Sequence, residues 1–240
     1  MTNQQQPVTW TNWVGNQSFT PNAIIEVTEE VALQQLVAEA AANERQVRTY
    51  GGSHSFTPIV ETKDVLINME KMKGVLHVDS EKRQATVLPN TLISELGEPL
   101  WAAGFALNNQ GDIETQSIAG TIATATHGAG RTLPSSSAAL AGARIVDGLG
   151  NLVEITRETM PDELAALQTS IGLFGIMTEL TIDVVPAYDL HLRREVLPFS
   201  EMLERLDSYL DSTRSLTFYW CPTDQSAELF GVKNAKADEC

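Results

Sequence analysis

The apolar positions change period several times along the chain. Residues 24–27 (Ile-Ile-Glu-Val) form a short strand-like run, after which Val31, Leu33, Leu36, Val37, Ala40 and Ala41 recur at helical spacing. Thr28, ahead of Glu29 and Glu30, predicts an N-cap with an acidic first turn, which the helix dipole favours. Residues 47–50 and 64–69 are again apolar strands, the first running into Gly51-Gly52. Residues 74–79 and 83–89 alternate about a polar turn, the pattern of a hairpin. Thr91 is expected to open a helix with Leu92, Leu96 and Leu100 on one face. Pro99 should kink or shorten that helix, and Gly104 marks its end. Residues 105–130 show no regular period. Strands follow at 143–147 and 151–155 about Asp147-Gly148, then a helix from Pro161 over 162–167, then a strand over 176–185 ended by Pro186. Past Tyr188 the pattern predicts a helix over 200–210 and a strand over 216–220.

This order predicts an α+β chain. A sheet with its own helix spans about 20–70, a second α+β unit spans about 74–186, and a further unit begins near 189–190. One helix and one strand in the last fifty or so residues are little for an independent core, so the chain reads as a fragment or truncated product. Of the 240 residues 42% are hydrophobic and 20% charged, which excludes disordered and fibrous classes. No run approaches the roughly 18 apolar residues of a membrane-spanning helix. Met1 to Pro7 is polar and lacks the order of a signal peptide. Cys221 and Cys240, both near the end, argue against a disulfide framework and favour a reducing compartment. The net charge of −15 argues against nucleic acid and gives no support for membrane binding, so a cytoplasmic location is expected. With so few cations, a phosphate-bearing ligand must be held largely by backbone N–H groups.

Two segments carry candidate chemistry. The first, residues 47–59, is Val-Arg-Thr-Tyr-Gly-Gly-Ser-His-Ser-Phe-Thr-Pro-Ile. A strand feeds two glycines and then small hydroxyl residues around His54. Such a turn can form an anion nest of N–H groups. A plain strand-to-loop turn with a surface histidine fits these residues equally. The second segment, residues 109–130, holds four glycines, four threonines, four alanines and no aromatic. Small residues let the backbone lie against a flat ligand, although a small-residue helix packed on a sheet would use the same composition. There is no G-x-G-x-x-G opening a helix, no P-loop, no H-E-x-x-H and no metal-spaced cysteine pair. His77 and His191 carry no motif and are read as structural or exposed.

Together the residues Gly51-Gly52-Ser53-His54-Ser55-Phe56 and Gly111-Asp112-Ile113, with Gln116 to Gly120 and Thr124 to Gly128, resemble the sugar-1,4-lactone oxidases. These are the L-gulono- and D-arabinono-1,4-lactone oxidases of the vanillyl-alcohol-oxidase-type FAD superfamily. Asn12-Trp13-x-Gly15-Asn16, residues 171–178 and Val185-Pro186-Ala187-Tyr188 are similar to the same family, and the resemblance covers roughly 10–220. It implies a two-subdomain FAD-binding domain of the PCMH type over 10–188, with subdomains at about 20–70 and 74–186, and an incomplete substrate or cap domain over 189–240. In the family the first loop wraps the FAD pyrophosphate, so Gly51, Gly52, Ser53 and Ser55 are expected to contact it. His54 falls on the histidine that many members join covalently to the flavin 8α-methyl. Asp112, Ser117, Gly120, Thr124 and His127 match positions lining the cofactor, and Ile176 is expected to give it backbone bonds. For His127 packing behind the site is as good a reading as contact.

Gly111 matches a position near the flavin C4a–N5 edge, where a small residue leaves room for O2; a need for positive φ would also explain it. Asp112 looks more like the lactone oxidases than the alditol oxidases, which carry a serine there. The implied reaction moves hydride from a CH–OH carbon of the substrate to the flavin, whose two electrons then reduce O2 to H2O2. The partners are a sugar lactone or polyol and O2. The family's His-Trp-Gly motif is absent, so the sequence names no catalytic base. An alditol oxidase, a non-catalytic flavin-binding fragment and an unrelated α+β domain are the alternatives.

Overall fold

The computed structural model describes residues 8–234. Cys240 and the polar segment Met1 to Pro7 lie outside the described residues; Cys221 is a free, exposed thiol. Among the described residues no helix is long and apolar enough to cross a membrane.

A small hairpin of β1 (Trp10–Thr11) and β2 (Ser18–Phe19) leads into the first unit. Strand β3 (Ala23–Glu26), helix α1 (Glu30–Ala42), β4 (Val47–Tyr50) and β5 (Val65–Asn68) follow. The strands form a parallel sheet in the order β3-β5-β4, with Ala23 and Val47 both in register with Val65. Leu33 and Val37 of α1 pack with Val65, Ile67 and Met69 on its face. The cap expected at Thr28 is not formed. Glu29 precedes the helix without a side-chain cap. The first turn is anchored instead by tertiary contacts, because the Glu30 carboxylate pairs with Arg144 and accepts from the Thr178 hydroxyl at 2.7 Å.

The second unit opens with the expected hairpin, β6 (Val75–Asp79) and β7 (Gln84–Val87). Helix α2 (Ile93–Ala102) starts two residues later than Thr91. Thr91 is buried and its hydroxyl donates to Leu88 O at 2.7 Å, so it closes the preceding turn. The Glu95 carboxylate supplies the cap, accepting the Leu92 N–H at 3.0 Å. The helix continues past Pro99, held by the fully buried Leu96 and Leu100, and Gly104 follows at φ +83°. The stretch 105–130 contains β8 (Phe105–Ala106) and the one-and-a-half-turn α3 (Ile118–Ala123). Then come β9 (Leu140–Val146), β10 (Leu152–Thr156), α4 (Pro161–Leu167) and β11 (Ile176–Asp183). Val184 interrupts the expected strand over 176–185, and β12 (Val185–Pro186) pairs with β8. The antiparallel sheet runs β10-β9-β11-β7-β6, over a core that includes Leu96, Leu100, Ile118, Ile122, Leu167 and Leu180.

The two units are locked together. Val146 of β9 belongs to the core beneath α1. Arg144 on the same strand joins Glu30 and Glu179, and Gln34 of α1 donates to Gly150 O at 3.2 Å. This docking leaves a crevice beside the C-terminal end of β4.

The third unit departs from expectation. It consists of β13 (Leu190–Pro198), α5 (Phe199–Ser212), β14 (Ser215–Cys221) and β15 (Ser226–Asn234). The strands form an antiparallel sheet in the order β13-β15-β14, where one strand was expected. Leu197, Met202, Tyr209, Ala227 and Leu229 make a separate small core with α5. His77 and His191 are both exposed on strands.

Candidate functional site

The loop after Tyr50 has no room for side chains where it meets residues 115–117. A Cβ on Gly51 would overlap Ser117 Oγ and lie 2.8 Å from Ser117 Cβ; one on Gly52 would overlap the Thr115 carbonyl oxygen and lie 3.2 Å from Gln116 Cα. Ser53 sits at φ +58°, a left-handed conformation that L-residues with a Cβ disfavour. The β1–β2 hairpin holds the loop in place. The Trp13 N–H donates to Ser53 O at 3.2 Å, buried Asn12 donates to Ser55 O at 3.1 Å, and Gln17 donates to Phe56 O. Among the described residues no backbone acceptor takes the N–H groups of residues 52–55.

His54 is fixed from two sides. Its ring stacks on Trp13 with centroids 5.0 Å apart and planes 29° from parallel. Its Nε2 shares a 2.7 Å hydrogen bond with Thr115 Oγ1. Partial burial lowers its pKa from the ordinary 6.5, so the imidazole is neutral at pH 7.

The facing wall comes from α3. Ser117 is buried and its Oγ accepts the Gly120 N–H at 3.3 Å. The first helical N–H groups are already used, Ile118 to Thr91 O and Ala119 to Pro89 O. The third wall is the approach to β11. Ile171 has φ +53°, and Gly175, at φ +135°, would place a Cβ 2.6 Å from Val146 O. Strained or left-handed backbone thus borders the crevice at Ser53, Ile171 and Gly175, the kind of clustering found at ligand sites.

The crevice has a volume of about 200 Å³. It brings together Gly51, Gly52, Ser53, His54, Ser55, Ser117, Gly120, Thr124 and Ile176. Asp112 lies elsewhere, in a second cleft with Asn109, Gln110, Tyr188, Arg214 and Tyr219. Arg214 there lies 4.7 Å over the Tyr188 ring and donates to Asn108 O at 2.6 Å. Gly111 and His127 line neither cavity. Gly111 is not in the left-handed region; a Cβ on it would lie 3.0 Å from Thr126 Cγ2 and 3.4 Å from His127 O. His127 is exposed, with Nδ1 3.1 Å from Gly128 O. Thr115 and Asn90 carried no expectation of their own. Thr115 lies inside the second motif, but its bond to His54 depends on the tertiary approach of the two loops. Asn90 lines the crevice, and its Oδ1 is shielded from water without a hydrogen-bond partner. Such an atom costs about 1–3 kcal/mol unless a ligand satisfies it.

These features fit a dinucleotide with a hydroxylated chain and a pyrophosphate. Free N–H groups and left-handed turns suit the phosphates, and flush glycines allow close approach. Comparison with known proteins agrees. The family described as FAD binding domain matches residues 21–156, and the family described as D-arabinono-1,4-lactone oxidase matches residues 180–239. The chain is 35% identical over 213 residues to L-gulono-1,4-lactone dehydrogenase of Mycobacterium tuberculosis, covering 89% of this chain and 49% of that protein. It is 30% identical over 233 residues to D-arabinono-1,4-lactone oxidase of Eremothecium gossypii, covering 95% of this chain and 44% of the other. The chain therefore spans about half the length of the curated relatives it matches. Among solved structures, cholesterol oxidase from Brevibacterium sterolicum superposes with a TM-score of 0.85 at 16% identity, over 94% of this chain and 47% of that one. An alkyldihydroxyacetonephosphate synthase superposes with a TM-score of 0.79 at 18% identity, over 91% and 48%. Fold, crevice and sequence relatives agree: the chain belongs to the FAD binding domain family, and L-gulono-1,4-lactone dehydrogenase and D-arabinono-1,4-lactone oxidase are among the proteins it is similar to.

Proposed function

We propose that the chain is the flavin-binding part, with some of the cap, of an enzyme that oxidises a CH–OH carbon of a sugar 1,4-lactone. On this reading residues 10–188 hold FAD and the segment from 189 onward contributes to the substrate side. The carrying observation is the convergence of the two motifs, with Gly52 flush against Thr115 and His54 bonded to its hydroxyl. When bound, FAD would supply the redox chemistry, a two-electron oxidation of the CH–OH carbon with O2 as acceptor and H2O2 as product.

Within this reading the protein's residues divide the work. The N–H groups of residues 52–55 hold the pyrophosphate. Ser117, Gly120 and Thr124 form a low wall along the nucleotide, and Ile176 borders it at the start of β11. His54, kept neutral by burial and oriented by Trp13 and Thr115, is the point of covalent attachment. Asp112 and Arg214 in the second cleft hold the hydroxyls of the lactone.

Purified chain reconstituted with FAD tests this directly. L-gulono-1,4-lactone, D-arabinono-1,4-lactone and xylitol are added in turn, first without air and then with it. Bleaching near 450 nm (roughly the absorbance of oxidised flavin) followed by peroxide release with a lactone is the expected result. Xylitol as the better substrate favours an alditol oxidase. Bound FAD that no substrate bleaches leaves a binding module.

A further inference from the structure

Among the described residues, Asn90 Oδ1 is the single shielded side-chain oxygen or nitrogen with no hydrogen-bond partner. The Asn90 backbone is fixed from both sides. The Asn90 N–H donates to Met72 O at 3.0 Å, and the preceding Pro89 carbonyl accepts the Ala119 N–H at 3.1 Å. The segment is thus clamped between the β5–β6 connection and α3. The side chain borders the crevice beside Gly51, whose added Cβ would come within 3.2 Å of Asn90 Oδ1. As placed, the acceptor Oδ1 is not satisfied by a phosphate, whose oxygens only accept; a phosphate would serve only the amide in its opposite orientation. The Oδ1 atom requires a donor. A hydroxyl satisfies it, and would satisfy the amide in the opposite orientation as well, since a hydroxyl both donates and accepts.

We propose that Asn90 is a cofactor-binding residue whose side-chain amide bonds a hydroxyl of the flavin nucleotide, on either the ribityl chain or the ribose. The inference rests on the crevice being the FAD site. It separates the roles of the two walls: the 52–55 loop recognises the charged phosphates through backbone N–H groups, and Asn90 recognises the neutral hydroxylated part through a side chain.

The test compares wild type, Asn90→Leu and Asn90→Ala without flavin and then titrated with FAD and with FMN. If Asn90 only supported the fold, the flavin-free variants would melt lower. As a residue waiting for a ligand, it should leave the flavin-free melting temperature of Asn90→Leu unchanged or raised, because an unsatisfied oxygen has been removed. Both variants should bind FAD roughly tenfold more weakly, the loss of one such hydrogen bond. An equal factor with FMN assigns the hydroxyl to the ribityl chain; a loss confined to FAD assigns it to the ribose. Wild-type affinity in Asn90→Ala overturns the proposal, and a loss in Asn90→Leu alone is then steric. A wild-type chain that takes up no FAD overturns the reading of the crevice itself, which is a distinct result.

Discussion

The crevice beside β4 and the cleft beneath the third sheet are built on opposite principles. The crevice is made of main chain and of missing side chains. Gly51 and Gly52 lie flush on residues 115–117, and the N–H groups of residues 52–55 have no backbone acceptor among the described residues. The cleft is made of long side chains, with Arg214, Tyr188, Tyr219 and Asp112 reaching in from separate elements. A backbone-built site tolerates removal of atoms better than addition. A side-chain-built site behaves in the reverse way, and its contents can be changed without disturbing the fold. A cofactor held by the first and a substrate chosen by the second would let one scaffold serve several alcohols.

The largest effect should come from adding one methyl group to the crevice. Gly51→Ala pushes on buried Ser117, which caps Gly120, and is expected to destabilise the chain by about 1–3 kcal/mol with loss of flavin uptake. Adding Ser117→Gly should recover part of the stability in a thermal melt. A fully stable Gly51→Ala would mean that the loop has room the structure denies it.

Removing a side chain from the cleft should do less, and do it elsewhere. Arg214→Ala loses the stacking on Tyr188 and the bond to Asn108 O, about 1 kcal/mol in all. Lactone KM is expected to rise while FAD affinity stays unchanged. An equal loss of FAD affinity would merge the two sites into one.

The pH dependence sharpens the crevice side. Burial lowers the pKa of His54 below 6.5, so the unfolded chain binds a proton there more readily than the folded one. The stability held by the neutral ring is therefore present above about pH 6.5 and lost as pH falls through the lowered value. Covalent flavin attachment, read as fluorescence that survives acid precipitation, should be flat above that pH, fall below it, and vanish in His54→Ala.

The smallest effect is a control. A Cβ on Gly97 in α2 meets nothing within 4 Å. Gly97→Ala should stabilise the helix by up to about 1 kcal/mol, with flavin binding unaffected.

What the sequence made legible follows from which features are local. The strand running into Gly51-Gly52 was readable because a hydrophobic run and paired glycines are contiguous. The α1 stripe was readable because Leu33 and Val37 repeat on one face. Thr91 was misleading: its hydroxyl is claimed by Leu88 and the cap falls to Glu95, a choice made only when the β7–α2 turn packs. Helix α3 spans six residues, too few for a 3.6-residue period to emerge. The strands β13 and β15 were hidden for another reason. Arg193, Arg194 and Glu195 interrupt the alternation, and only Leu197 on β13 is buried. In the site, the loop residues and Ser117 were visible as motifs. Asn90 and Thr115 were not, since each acquires its role from an approach between segments distant in the chain. His127 sat within the motif yet is exposed and lines neither cavity.

The central claim is that loops 51–55 and 115–124 together grip one flavin nucleotide. Titrating the FAD-free chain with FAD, followed by tryptophan quenching, tests it against Gly52→Ala, whose added Cβ would overlap the Thr115 carbonyl and force the loops apart. Saturation at one FAD per chain in wild type, with no saturable binding in Gly52→Ala, is the predicted result. Equal binding by both, or none by wild type, would contradict it.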